Sequence, residues 1–189
     1  MQNTPERYSG IIETPVSRER VFDGIIIHVD HAQYRLPNGE IKPREIAAHP
    51  GASAIVALDG EGFVTLVRQF RAPLDRVTLE LPAGKLDSPD EDRLLAARRE
   101  LSEETGLEAA RWDHLIDLAT TPGFCSEVIS IYLARDLTRG ESHPDDDEFL
   151  NVTRMPLDEA FEAVMRGEIQ DSKTVCGLTL AREALLRER

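Results

Sequence analysis

The stretch "GKLDSPDEDRLLAARRELSEETGL", residues 84–107, decides how this chain is read. Ser88-Pro89-Asp90-Glu91 has the form of a capping box with proline at the first helical position, and Asp92 is a rival N-cap. From either start, residues 94–105 read as helix, and Gly106 supplies the C-terminal stop. Leu94, Ala97 and Leu101 recur at i, i+3 and i+7 and give the helix an apolar side, which Leu95 widens. At about 100° per residue, Glu104 lies about 40° from Glu100, and Glu103 about 60° the other way. Three carboxylates therefore share one face near the C-terminal end, where mutual repulsion and the helix dipole both oppose them. Arg99 offsets part of this through its i,i+4 relation to Glu103. A hard divalent cation, Mg²⁺ or Mn²⁺, removes the conflict, because such ions take oxygen ligands and no histidine or cysteine nearby offers a zinc-type set. A plain solvated acidic helix is the competing reading of the charges alone.

The spacing adds to the charges. Gly84, Glu91, Arg99, Glu100, Leu101, Glu103, Glu104, Gly106 and Leu107 form a glycine, a glutamate, then Arg-Glu-apolar-x-Glu-Glu-x-Gly-apolar. This resembles the signature of the Nudix hydrolases. One departure is present: six residues separate Gly84 from Glu91, where the usual pattern has five. The extra residue falls in the loop "KLDSPD", where insertion is tolerated. The resemblance implies that Glu100 and Glu104 are the main metal ligands, with the Ala83 carbonyl as a further one, and that Glu103 is a ligand or the general base. It implies that Arg99 and Glu91 hold loop and helix together, and that Gly84 lets the backbone approach the metal closely.

Features outside this box resemble the ADP-ribose pyrophosphatase branch. "LELPAGKLD" leads into the helix. Pro122 lies fifteen residues after Leu107, within "TTPGF". "LVRQFR" (66–71) matches a strand that brings arginine to the diphosphate, which marks Arg68 and Arg71 as substrate-binding candidates. Each feature also has a bland reading: Pro122-Gly123 is an ordinary turn, and the arginines suit a strand edge. An arginine fork nevertheless fits a diphosphate well. In the acidic loop "HPDDDEF", the resemblance makes Glu148 the best match for a mobile ligand or base, with Asp147 as alternate.

The rest of the chain fits one α/β (α+β) domain with an N-terminal antiparallel strand region. Residues 8–48 read as short strands, with "PNGE" at 37–40 as a hairpin signal. "ASAIVALDGEGFVTLVRQF" (52–70) reads as two buried strands joined at Asp59–Gly62. "VTLELPAGKL" is a strand running into a turn, and "HLIDLATTPGF" and "EVISIYLARDL" are two more strands around Pro122-Gly123. "FLNVTRM" is a short strand. Helices follow in "PLDEAFEAVMRGE", stopped by Gly167, and in the last twenty residues or so. The order lacks strict βαβ alternation, so a mixed sheet sandwiched between helices is expected. The boundary is placed at residues 1–50 for the strand region and 51–189 for the hydrolase domain.

Composition narrows the partners. Of 189 residues, 41% are hydrophobic and 30% charged, and the formal net charge is −13. That acidity argues against nucleic acid or an anionic membrane as partner. No apolar run approaches a membrane span or a signal peptide, so a cytoplasmic protein is expected. Cys125 and Cys176 form no CxxC pair, and the five histidines form no metal motif.

The expected reaction is the Mg²⁺-dependent (or Mn²⁺-dependent) hydrolysis of ADP-ribose to AMP and ribose 5-phosphate. The alternatives are another nucleoside diphosphate sugar, such as GDP-mannose, and a non-catalytic ADP-ribose sensor. The resemblance also implies a homodimer built through residues 1–50. That region offers only Phe22 and Tyr34 between positions 15 and 50 for stacking on a base, so the base is less firmly indicated than the chemistry.

Overall fold

In the computed structural model, the described residues are Tyr8, 10–140 and 149–188, and they divide into two compact units. One unit takes the described chain up to His49 together with Thr121–Glu127; the other takes Pro50–Thr120 and the chain from Val128 onward. The Pro122 loop is thus grouped with the N-terminal strands.

The first unit is an antiparallel meander of β1 (Thr14–Asp23), β2 (His28–Arg35) and β3 (Ile41–Ala48). The β2–β3 turn closes through the Leu36 N–H to the Glu40 carbonyl, at the expected Pro-Asn-Gly. All ten residues of β1 are exposed, among them Val16, Val21 and Phe22, and Ile25–Ile27 after it are exposed as well. Asp30 on β2 is buried and accepts from Arg18 and Arg20 of β1. The 121–127 segment attaches to β3 through the Ala47 N–H to the Phe124 carbonyl and the Ser126 N–H to the Ala47 carbonyl.

The second unit is built around β4 (Ala52–Leu58), whose seven residues are all buried. A strand buried on both faces needs small and branched apolar residues throughout, which "ASAIVAL" supplies apart from Ser53. The sheet runs β10 (Asn151–Pro156), β5 (Phe63–Arg71), β4, β9 (Val128–Arg139), β8 (Leu107–Ala119). β6 (Arg76–Glu80) pairs with β5, and β7 (Ala83–Lys85) pairs with β4. Only β4 and β9 run parallel, so the sheet is mixed.

Side chains of β4 alternate between two helical layers. Ala54, Val56 and Leu58 pack with Ala160 and Ala163 of α2 (Leu157–Met165) and Leu178 and Ala181 of α3 (Ser172–Arg187). Ile55 and Ala57 pack with Ala97 and Leu101 of α1 (Arg93–Thr105). The sheet is thus sandwiched between helices. Among the described residues, no helix is long and apolar enough to cross a membrane.

Of the two caps that the sequence left open for α1, Asp92 is used: its carboxylate accepts from the Leu94 and Leu95 amides at 2.9 Å. One expectation about α1 needs correction. Leu95 does not widen the apolar side but is 60% exposed, since it lies one position off the stripe that meets the sheet. The buried stripe is instead Ala96, Ala97, Glu100, Leu101 and Glu104. β8 also begins at Leu107, seven residues before the expected His114, because Gly106 ends the helix at φ +66° and the chain pairs with β9 at once.

Candidate active site: buried carboxylates against a glycine turn

Glu100 is 7% exposed and Glu104 5%, on the face of α1 that meets the sheet. Taking a carboxylate out of water is expensive unless the protein supplies compensating groups. β7 and the turn before it supply some. The Ala83 N–H donates to Glu104 Oε2 at 3.1 Å. A Cβ on Gly84 would lie 2.0 Å from Glu100 Cδ, so only glycine leaves room for that carboxylate. The insertion in the loop does not disturb this contact.

Arg99 sits in the middle of the acids. Its Nη1 donates to Glu100 Oε1 at 2.7 Å and to Glu103 Oε2 at 3.1 Å, and its Nη2 lies 3.6 Å from Glu91 Oε1. Burial opposes the charge on this guanidinium, yet Glu100, Asp87 and Glu103 outweigh it and raise its pKa above the ordinary value. Glu91 also accepts from the Asp87 amide at 2.6 Å, which fastens the longer loop. The box residues Gly84, Glu91, Arg99 and Gly106 are therefore gathered around the same helix as Glu100, Glu103 and Glu104.

The donor set suits a hard divalent ion: carboxylate and carbonyl oxygens, with no sulfur or imidazole among them. Among the described residues, no three acidic, histidine or cysteine side chains are gathered into a ready metal cluster. The cause is local, because Arg99 draws Glu100 and Glu103 while the Ala83 amide draws Glu104. Helical i,i+4 spacing still leaves Glu100 and Glu104 neighbours on one face, so side-chain rotation suffices to bring them together.

The two arginine candidates separate. β5 and β6 pair without a register shift from Val67 to Arg71, so Arg68 and Arg71, three apart, point to opposite faces. Arg68 is exposed beside Phe70, Val77, Phe149, Leu150 and Asn151, which line a cavity of about 610 Å³. Arg71 is on the other face, where the nearby Glu104 charge helps to raise its pKa after the larger effect of a Glu80 hydrogen bond. Pro122 lies in the loop of the N-terminal unit. Glu148 and Asp147 lie outside the described residues.

Two charged residues at this face went unnoticed in the sequence, Glu80 and Lys173. Glu80, 2% exposed, accepts from Arg71 Nε at 2.8 Å and Nη2 at 2.6 Å, from Thr78 Oγ1 at 2.5 Å, and from Lys173 Nζ. Burial alone would raise its pKa, but Arg71, Lys173 and Thr78 overcome this and hold the carboxyl down at about 2. A lone acid between leucines in "TLELP" was a legible signal for Glu80. Lys173 is 93 residues away and carries none.

Comparison with known proteins now becomes informative. The NUDIX domain family model matches residues 47–176. The chain belongs to the Nudix family. Three bacterial relatives align over 86% of this chain. They are the methanol dehydrogenase activator of Bacillus methanolicus (40% identical, 89% of its length), the ADP-ribose pyrophosphatase of Bacillus subtilis (39%, 88%) and the ADP-ribose pyrophosphatase of Mycobacterium tuberculosis (41%, 80%). A crystal structure titled as an ADP compounds hydrolase superposes with a TM-score of 0.80 at 25% identity, covering 93% of this chain and 95% of that one. This Nudix chain has the family's mixed-sheet fold over nearly its whole length.

Two outcomes test this geometry. Gly84→Ala forces Glu100 out of its place, so divalent-ion affinity, read by calorimetry with Mn²⁺, should fall about tenfold or more while the helical content seen by circular dichroism is kept. Glu80 titrates at 4.5 when unperturbed and about 2 here. Its stabilisation, on the order of 3 kcal/mol, is therefore complete above about pH 4.5 and disappears as pH falls toward 2. Glu80→Gln should lower the urea midpoint at about pH 7 and lessen its further decline between about pH 5 and 3.

Proposed function

We propose that this chain hydrolyses the pyrophosphate bond of ADP-ribose, releasing AMP and ribose 5-phosphate, with Mg²⁺ or Mn²⁺ as cofactor. The observation that carries the reading is the pair of buried carboxylates, Glu100 and Glu104, with Glu100 lying where a Cβ on Gly84 would displace it. The names of two relatives and of the solved structure support the substrate class.

Glu100, Glu104 and the Ala83 carbonyl would hold the ions. Divalent ions bound there supply charge for the phosphoryl oxygens and acidify a water molecule. The remaining work falls to the chain. Glu103, Glu148 or Asp147 takes the proton from the attacking water. That water forms a new P–O bond as the bridging P–O bond breaks, and the bridging oxygen leaves with the other phosphate. Arg71 neutralises charge on the diphosphate. Arg99 and Glu91 fix the loop and helix, and Gly106 ends the helix. Pro122 bears on which diphosphate is accepted, not on the chemistry. Arg68, with its neighbouring apolar groups, is assigned to the parts of the substrate beyond the diphosphate.

We assign residues 1–50 to dimer formation and 51–189 to the hydrolase domain. A ten-residue strand with no buried side chain, followed by three exposed isoleucines, leaves an apolar surface that a second copy of this chain would cover. A nucleotide-sugar substrate fits a cytoplasmic location.

Glu104→Gln should abolish turnover of ADP-ribose while thermal unfolding stays cooperative; retention of more than about a tenth of the activity refutes the assignment. Incubation with ADP-ribose, GDP-mannose and NADH, with and without Mg²⁺, should give metal-dependent AMP release fastest from ADP-ribose. Faster GMP release from GDP-mannose would transfer the reading to that sugar, and binding of ADP-ribose without AMP release would make the chain a sensor. Light scattering should give the mass of two chains, and a single-chain mass would defeat the dimer.

A further inference from the structure

The Glu80 cluster joins two cations, Arg71 and Lys173, to one fully buried carboxylate, with Asp171 as a second partner of the lysine. A buried carboxylate is satisfied by one well-placed cation, and an apolar residue in its place often serves the fold as well. Glu80 has two cations, Arg71 and Lys173, and the two differ in kind. Lys173 is 8% exposed, at the N-terminus of α3, and its ammonium is also 3.1 Å from Asp171 Oδ2. Asp171 in turn caps α3 by accepting from the Thr174 amide at 3.0 Å and the Thr174 hydroxyl at 2.6 Å. Thr174 Oγ1 accepts from the Leu81 amide at 2.9 Å, next to Glu80 in sequence. This end of the cluster is bolted to two elements of the core.

Arg71 forms the open end. Its side chain is 40% exposed. It engages Glu80 edge-on, through Nε and Nη2, which fixes the plane of the guanidinium and leaves the Nη1 edge pointing away from the carboxylate. Among the described residues, Nη1 of Arg71 has no recorded hydrogen-bond partner, and Arg71 responds to the charge of Glu104. In a chain of net charge −13, an arginine whose orientation is set from behind is a local positive group that an anion can use.

We propose that Glu80 and Lys173 are positioning residues for the substrate: Lys173 anchors Glu80, and Glu80 holds the Arg71 fork ready for the diphosphate. The inference rests on the pyrophosphatase reading and extends it to two residues outside the Nudix box. Lys173 contributes by keeping Glu80 in place while the Nη1 edge of Arg71 takes up an anion. Without it, the carboxylate would compete with the diphosphate for the same guanidinium from a less fixed position. The interaction with the diphosphate exists in both ground and transition states, so its loss appears mainly in KM.

The test is a cycle in the full chain with Mg²⁺. Glu80→Gln with Lys173→Met removes the two charges together and leaves neither buried partner alone; Arg71→Ala removes the fork; the triple variant combines them. With ADP-ribose, the Glu80/Lys173 pair variant should raise KM about tenfold with kcat within about threefold, and Arg71→Ala should raise KM at least as much. The triple variant should equal Arg71→Ala, because the pair acts only through that arginine. Glu80→Asp, which keeps the charge but draws the carboxylate back, should raise KM with a smaller loss of thermal stability, and it serves if the pair variant does not fold. A lowered melting temperature with KM within about twofold of the wild type would overturn the proposal, as would KM effects that multiply in the triple variant. If the wild type fails to hydrolyse ADP-ribose, the pyrophosphatase reading fails by itself. The same cycle read by calorimetric binding of inorganic pyrophosphate then decides the positioning role: equal losses in Arg71→Ala and the triple variant support it, and unchanged binding in the pair variant removes it.

Discussion

Two carboxylates that point into the protein impose the main constraint on this structure. Glu100 and Glu104 occupy the stripe of α1 that an ordinary amphipathic helix would fill with leucine. The rest of the hydrolase unit accommodates that choice. β7 brings a backbone amide to one carboxylate and an absent side chain to the other. Arg99 spans the remaining acids. Ala96, Ala97 and Leu101 carry the apolar packing that the glutamates cannot, against Ile55, Ala57 and Ala134. The helix gives up part of its hydrophobic contact, and the sheet behind it makes good the loss with a central strand buried on both sides.

The same economy of charge appears on β6. Glu80 is as thoroughly buried as the box glutamates, but it is surrounded by donors on every side. The two groups of acids therefore differ in use. One is held by an arginine, a lysine and a threonine hydroxyl and stays ionised well below the usual carboxylate range; the other has Arg99 and the Ala83 amide among its partners. Arg71 is hydrogen-bonded to the first group and feels the charge of Glu104 in the second.

Much of this was legible in the sequence because it rests on local spacing. The helix, its stop at Gly106 and the grouping of Glu100, Glu103 and Glu104 follow from a period of 3.6 and the left-handed preference of glycine. The double burial of "ASAIVAL" follows from an unbroken apolar run. Other features rest on contacts between distant segments and had no local signature. The choice of Asp92 over Ser88 as cap was a near-even contest decided by where β7 holds the loop. That the glutamates face inward depends on Gly84, sixteen residues before Glu100. The separation of Arg68 from Arg71 needed the β5–β6 register, although three-residue spacing on a strand already implied it. Lys173 reaches Glu80 across most of the unit. The Pro122 loop joins the N-terminal strands through β3, which no reading of the turn itself could supply.

The join between α1 and β8 has a further consequence. Gly106 turns the chain and Leu107 is already in the ladder with Arg139, while at the other end Asp92 caps the helix and Ser53 Oγ donates to the Arg93 carbonyl at 2.7 Å. No slack remains at either end, so the helix cannot slide along its axis. On the proposed metal-binding role, ions of different radius would be accommodated by glutamate rotamers, which makes the site stiff lengthwise and compliant sideways. Such a site would rank metals by how well their preferred oxygen geometry matches a fixed backbone, and not by the backbone's yielding to them.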